Sequence, residues 1–160
     1  MHVRVAPMCI THRFSLGRLL PTDRRGKGEN ERGLEVRVAR ILVVDDDRLT
    51  RELVSRMLRK HGHETIKASD GEVAFGILEA NEDIQLVITD VLMPKMDGVR
   101  LVQLIRGQQV HKFLPILIVS SVATSGSIAH LLDLGASRFL SKPIAEEELS
   151  NNVTELLRAS

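Results

Sequence analysis

The sequence predicts a three-layer α/β domain with a parallel sheet at its centre, and three features of residues 39–160 carry that prediction. Apolar runs of strand length alternate with amphipathic segments of helix length. The strongest runs are apolar at consecutive positions, as strands covered on both faces require. Each of these runs also ends in polar or charged residues. Five strands alternating with five helices imply right-handed crossovers that put helices on both faces of the sheet. A stretch of about 120 residues suffices for one such core and leaves no space for a second folded domain.

The elements follow in order. Ile41-Leu42-Val43-Val44 is the first strand and runs into Asp45-Asp46-Asp47. Leu49, Leu53, Val54, Met57 and Leu58 recur at near-helical spacing, with Arg51, Arg56, Arg59 and Lys60 off that stripe and Gly62 as a stop signal. The run from Glu64 to Ala68 is mixed in composition, which suits an edge strand. Residues 71–80 form the second helix, and Leu86-Val87-Ile88 before Asp90 the third strand. A helix over 98–108 is followed by Ile116-Leu117-Ile118-Val119, which ends at Ser120. A helix over 125–135 closes at Gly135, and Arg138-Phe139-Leu140 leads into Ser141-Lys142-Pro143. Leu149, Val153, Leu156 and Leu157 stripe the last helix. Asp47 and Asp97, the latter just before Gly98, read as helix-start caps. His61, His63, His111 and His130 lie outside every motif and read as surface or loop residues.

Composition excludes several classes. Among 160 residues Cys9 is the only cysteine, so no intramolecular disulfide closes and no zinc spacing exists. The apolar runs fall far short of the ~20 residues that span a bilayer, and the N-terminus lacks a signal-peptide core. A cytoplasmic setting is expected, without membrane attachment. Residues 1–40 hold nine Lys/Arg against four Asp/Glu, whereas residues 41–160 hold thirteen against seventeen. Residues 1–38 therefore read as a basic, disordered leader and 39–160 as the domain. Nucleic-acid binding is disfavoured, because the domain is acidic and lacks an aromatic stacking platform.

In an open parallel sheet, ligands gather beyond the carboxyl ends of the strands. Those ends carry Asp45 and Asp46, Asp90, Ser120 and Lys142. Three crowded carboxylates repel one another and need a cation. Oxygen donors without imidazole or thiolate suit a hard ion, and a small set completed by water suits Mg2+. A divalent ion and an ammonium beside a carboxylate make a receptor for a phosphoryl group, with a carboxylate oxygen as nucleophile. The chemistry expected is aspartyl phosphorylation.

The segments Ile41 to Asp47, Val87 to Gly98, Pro115 to Ser121 and Gly135 through Pro143 together resemble the receiver domain of two-component response regulators, over roughly residues 39–158. The resemblance implies a flavodoxin-like sheet in the order 2-1-3-4-5. It also implies that Asp90 is the phosphoacceptor and that Asp46, Asp90 and the Leu92 carbonyl are direct Mg2+ ligands, with Asp45 acting on the metal through water. Lys142 would pair with Asp90 and then with the phosphoryl group. Ser120 would hydrogen-bond that group, Phe139 would turn inward behind it, and Pro143 would follow a cis peptide bond. Apolar Leu92 and Val122 stand where fast-cycling relatives often place amides or acids, so hydrolysis is expected to be slow.

The function so implied is that of a stand-alone response regulator, because the chain stops soon after the last helix. It would take phosphate from a histidine kinase or histidine phosphotransfer protein that docks near Asp47 to Leu58, and would bind an effector protein when phosphorylated. Phosphorylation-dependent homodimerisation stays open. It would not be an enzyme beyond its own phosphorylation and dephosphorylation. The alternatives are a phosphate sink or relay without an effector, and a phosphorylation-independent interaction module. A haloacid-dehalogenase-like phosphatase would want a second Asp two residues after the nucleophile, where this chain has Leu92.

Overall fold

A computed structural model of the chain describes residues 38–121 and 124–160. Residues 1–37 of the leader and Val122 lie outside the described residues. Five strands and five helices alternate: β1 (Arg40–Val44), α1 (Arg48–Lys60), β2 (Glu64–Ala68), α2 (Gly71–Ala80), β3 (Leu86–Thr89), α3 (Gly98–Gly107), β4 (Ile116–Ser120), α4 (Ser125–Asp133), β5 (Arg138–Ser141) and α5 (Glu146–Arg158). All strand pairs are parallel, in the order β2-β1-β3-β4-β5. The mixed strand β2 is an edge, as its composition predicts.

Every central strand divides its side chains between two cores, because successive residues face opposite sides of a sheet. Leu42, Val44, Val87, Ile116 and Ile118 join Leu78, Leu101, Ile105 and Leu131 beneath α2, α3 and α4. Ile41, Val43, Leu86, Ile88, Leu117 and Val119 join Val54, Leu58, Leu149 and Val153 beneath α1 and α5. This is why the runs are apolar at every position rather than at alternate ones.

The starts of α1 to α4 are fixed by side chains, whereas α5 begins at Ala145 without a side-chain cap. Asp47 accepts from the N–H groups of Leu49 and Thr50, Asp70 from that of Val73, and Asp97 from that of Arg100. Thr124 and Ser127 form a reciprocal capping box on α4. Gly135 ends that helix's turn at φ +108°, and its carbonyl accepts from Arg106 Nε at 2.9 Å and Nη2 at 2.6 Å.

Two expectations need correction. The α1 stripe is not uniformly core: Val54 and Leu58 are buried, but Leu49 is 78% exposed and Leu53 is also exposed. The first turns of α1 stand at the open end of the sheet, where no strand covers them. His63 and His111 are buried rather than superficial. His63 Nδ1 accepts the Ala39 N–H at 3.3 Å, and His111 Nε2 lies 3.0 Å from the Leu78 carbonyl oxygen. Both rings are satisfied by backbone, and burial pushes the His63 pKa down.

Candidate functional site

The sheet's register brings the polar strand ends together. The N–H of Asp45 continues the ladder to Ala68 O, that of Asp90 to Val44 O, and that of Lys142 to Ser120 O. The three side chains therefore leave one edge of the sheet at nearly the same level. Lys142 lies two strands from Asp90, about 9.5 Å at ordinary strand spacing. Its four-carbon stem and the Asp90 side chain together bridge that gap. Lys142 Nζ donates to Asp90 Oδ2 at 2.5 Å and to Asp45 Oδ2 at 2.7 Å. The Lys142–Pro143 peptide bond is cis, as the resemblance implies.

The second oxygen of each buried acid is held by backbone. Asp90 Oδ1 accepts the Val91 N–H at 2.5 Å and the Leu92 N–H at 3.3 Å, and Asp45 Oδ1 accepts the Asp47 N–H at 2.9 Å. Asp45 is 4% exposed and Asp90 8%, whereas Asp46 stands in solvent at the mouth. Burial raises the Asp45 pKa and outweighs the lowering effect of its bonds to Lys142 and the Asp47 N–H. Burial pulls the Lys142 ammonium the other way, but its bonds to Asp45 and Asp90 prevail and leave its pKa raised. Lys142 is thus a committed cation.

Carboxylate oxygens of Asp45, Asp46 and Asp90 lie within 4.8 Å of one another. The set is purely hard oxygen, carries more negative charge than one ammonium cancels, and opens to solvent on the Asp46 side. These properties fit a partly hydrated divalent cation of the Mg2+ class.

The remaining expected residues fall around this cluster. Ser120 is buried at the end of β4, and Phe139 is half-buried on β5 opposite Ile118, against the α2–α4 core. Ser120 follows Ile118 by two residues, so Ser120 and Phe139 share one sheet face. Leu92, 58% exposed, lies in the loop after Asp90.

Sequence reasoning missed two cations that hold the loops carrying the acids. Arg51 Nη1 donates to the carbonyls of Asp45 and Asp46 at 2.5 and 3.0 Å. Lys95, at φ +62°, donates to the buried Asp70 at 2.8 Å and ties the loop after β3 to the start of α2. Arg51 sat off the apolar stripe like any solvated arginine, so only the fold reveals its partner carbonyls.

The chain belongs to the response regulator receiver domain family, whose model matches residues 41–154. It is 39% identical over 122 residues to the two-component response regulator-like PRR73 of Oryza sativa subsp. indica, covering 76% of this chain and 16% of that protein. The chain thus spans about a sixth of the length of that plant relative. A chemotaxis protein CheY homolog of Campylobacter jejuni is 29% identical over 119 residues, 74% of this chain and 92% of that one. The solved chemotaxis response regulator CheY4 of Vibrio cholerae superposes with a TM-score of 0.71 at 31% identity, over 75% of this chain and 99% of its own. Receiver domains typically carry Mg2+ at acidic residues, and they act with histidine kinases and effectors. Among the described residues no helix is long and apolar enough to cross a membrane.

Proposed function

We propose that this chain is a cytoplasmic response-regulator receiver that accepts a phosphoryl group on Asp90 from a histidine kinase or histidine phosphotransfer protein. The observation that carries this proposal is Lys142 joined to both Asp45 and Asp90, with Asp46 in the same oxygen cluster. An Asp90 carboxylate oxygen attacks phosphorus, the P–N bond to the donor imidazole breaks, and the imidazole leaves with its electron pair and takes a proton from solvent. Lys142 holds the acceptor carboxylate in place, and its ammonium then serves the phosphoryl oxygens. Asp45, Asp46, Asp90 and the Leu92 carbonyl would hold Mg2+, which when bound offsets charge on the transferring group. The phosphoryl group brings about −1.5 to −2 of charge. Ser120 hydrogen-bonds it, and Phe139 moves inward on the same face, which changes the α4–β5–α5 surface that an effector or a second copy reads. Exposed Leu49 and Leu53 on α1, next to the acid cluster, support kinase docking there.

Incubation with acetyl phosphate is expected to add one phosphoryl mass to the intact protein only when Mg2+ is present, and to add none to Asp90→Ala. Modification of the folded Asp90→Ala variant, or none of the wild type, would overturn the assignment. The same time course reads hydrolysis, expected over minutes or longer; a half-life of seconds contradicts the role given to Leu92 and Val122.

A further inference from the structure

We propose that Arg51 is a positioning residue for the acid cluster, and that it sets the cluster's affinity for a divalent cation by fixing the two peptide planes that follow β1. This inference rests on the phosphoryl-acceptor function proposed above and adds a residue to it.

The β1–α1 turn raises an accounting problem. The N–H of Asp45 still pairs across to β2, but the carbonyls of Asp45 and Asp46 lie past the last rung of the sheet. Backbone carbonyls beside three carboxylates are poorly placed, since each adds partial negative charge where negative charge is already crowded. Arg51 resolves this from the second turn of α1. One guanidinium nitrogen takes both carbonyls, at 2.5 and 3.0 Å, and these are its partners among the described residues.

A planar trans peptide carries its C=O and N–H in opposite directions. Drawing the Asp46 carbonyl toward Arg51 therefore aims the Asp47 N–H the other way, and there it meets Asp45 Oδ1 at 2.9 Å. With Oδ1 held by that N–H, Oδ2 faces Lys142 at 2.7 Å, and Lys142 continues to Asp90. A single chain of bonds runs from Arg51 through one peptide plane to the acceptor carboxylate. A lysine ammonium has donors enough for both carbonyls, but on its flexible stem it does not hold them in the fixed plane that a guanidinium imposes.

The sign of the effect separates positioning from simple charge. Removing a nearby cation by itself strengthens the pull on Mg2+, so a purely electrostatic Arg51 predicts tighter binding in Arg51→Met. Positioning predicts weaker binding, because the Asp45 and Asp46 carboxylates lose their fixed directions. Partners that orient metal ligands are commonly worth about ten- to a hundredfold in metal affinity.

The test is titration calorimetry of the full chain with MgCl2, for the wild type, Arg51→Met, Arg51→Lys, Arg51→Gln and Asp46→Asn. Thermal melts in EDTA establish that each variant is folded at the titration temperature. The expected result is about a tenfold weaker Mg2+ affinity in Arg51→Met, with Lys and Gln, which retain donors, falling between it and the wild type. If Arg51→Met fails to fold, the Lys and Gln variants carry the test, since each should still bind more weakly than the wild type. Affinity unchanged within twofold or increased in the folded Arg51 variants, with Asp46→Asn impaired, overturns the role of Arg51 and leaves the acid site standing. A wild type that binds no Mg2+ overturns the underlying function instead.

Discussion

At Gly98 the first residue of α3 lies so close to the strand end that a Cβ built there overlaps the Asp90 carbonyl oxygen. The Gly98 N–H donates to Val91 O at 2.8 Å, which closes the loop that follows Asp90. Two effects compete in Gly98→Ala. Alanine gains up to about 1 kcal/mol of helix propensity, but the overlap is with backbone that cannot rotate aside, and overpacking costs about 1–3 kcal/mol. The overlap wins, because relieving it displaces Asp90 itself. Urea unfolding is expected to show a net loss of about 1–2 kcal/mol, and acetyl phosphate modification of the folded variant is expected to slow. Unchanged stability and rate would mean that the loop yields without moving Asp90.

The loop after β3 is also fastened at the scale of the element. Asp70 caps α2 through one oxygen and accepts Lys95 through the other, while the Gly71 N–H donates to Met96 O at 3.1 Å. The Lys95 bond, together with the Val73 N–H, holds the Asp70 carboxyl at a pKa of about 2. A folded pKa below the unfolded value of about 3.9 means that the unfolded chain binds more protons between the two values. Stability from this group is therefore complete above pH 4 and is lost as pH falls toward 2. Asp70→Asn keeps a competent cap but no ion pair, so its deficit against the wild type should shrink across that window. Asp70→Ala also loses the cap, worth about 1 kcal/mol. Denaturant melts from pH 7 to 2.5 check both; a constant Asp70→Asn deficit would remove the ion pair from the account. None of this clamp was legible in the sequence, because Asp70 and Lys95 lie in separate loops that only the sheet order brings together. The elements themselves were legible, since the continuous apolar runs of β1, β3 and β4, the stripes of the helices and the caps Asp47 and Asp97 are local signals. The strand ends named Asp45, Asp46, Asp90, Ser120 and Lys142 for the same reason. Leu49 and the two buried histidines were misjudged because periodicity shows which residues share a stripe, not where along it the neighbouring layer ends.

Across the whole molecule the two cores are unequal in how they hold their helices. Beneath α1 and α5, α5 alone buries Leu149, Val153 and Leu156. On the other face, α3 buries Leu101, Val102 and Ile105, but among the described residues of α4 only Leu131 is buried, and Leu132 is exposed. Full burial of a Val, Leu or Ile side chain contributes about 1.5–3 kcal/mol. A helix with two fewer such anchors than its neighbours opens at a lower free energy by roughly 3–6 kcal/mol. The capping box on α4 recovers only about 1 kcal/mol of this, and the Arg106 bonds to Gly135 pin only its far end. α4 is therefore the element whose position the rest of the fold constrains least, and it adjoins β5, where Phe139 lies. Native-state hydrogen exchange is expected to show α4 amides exchanging at least about a hundredfold faster than those of α3 and α5. The slowest amides should sit in β1, β3 and β4, which are paired on both sides. Protection in α4 equal to that of α5 would mean that surface contacts hold it as firmly as a core does, and would leave the proposed switch surface without an element free to move.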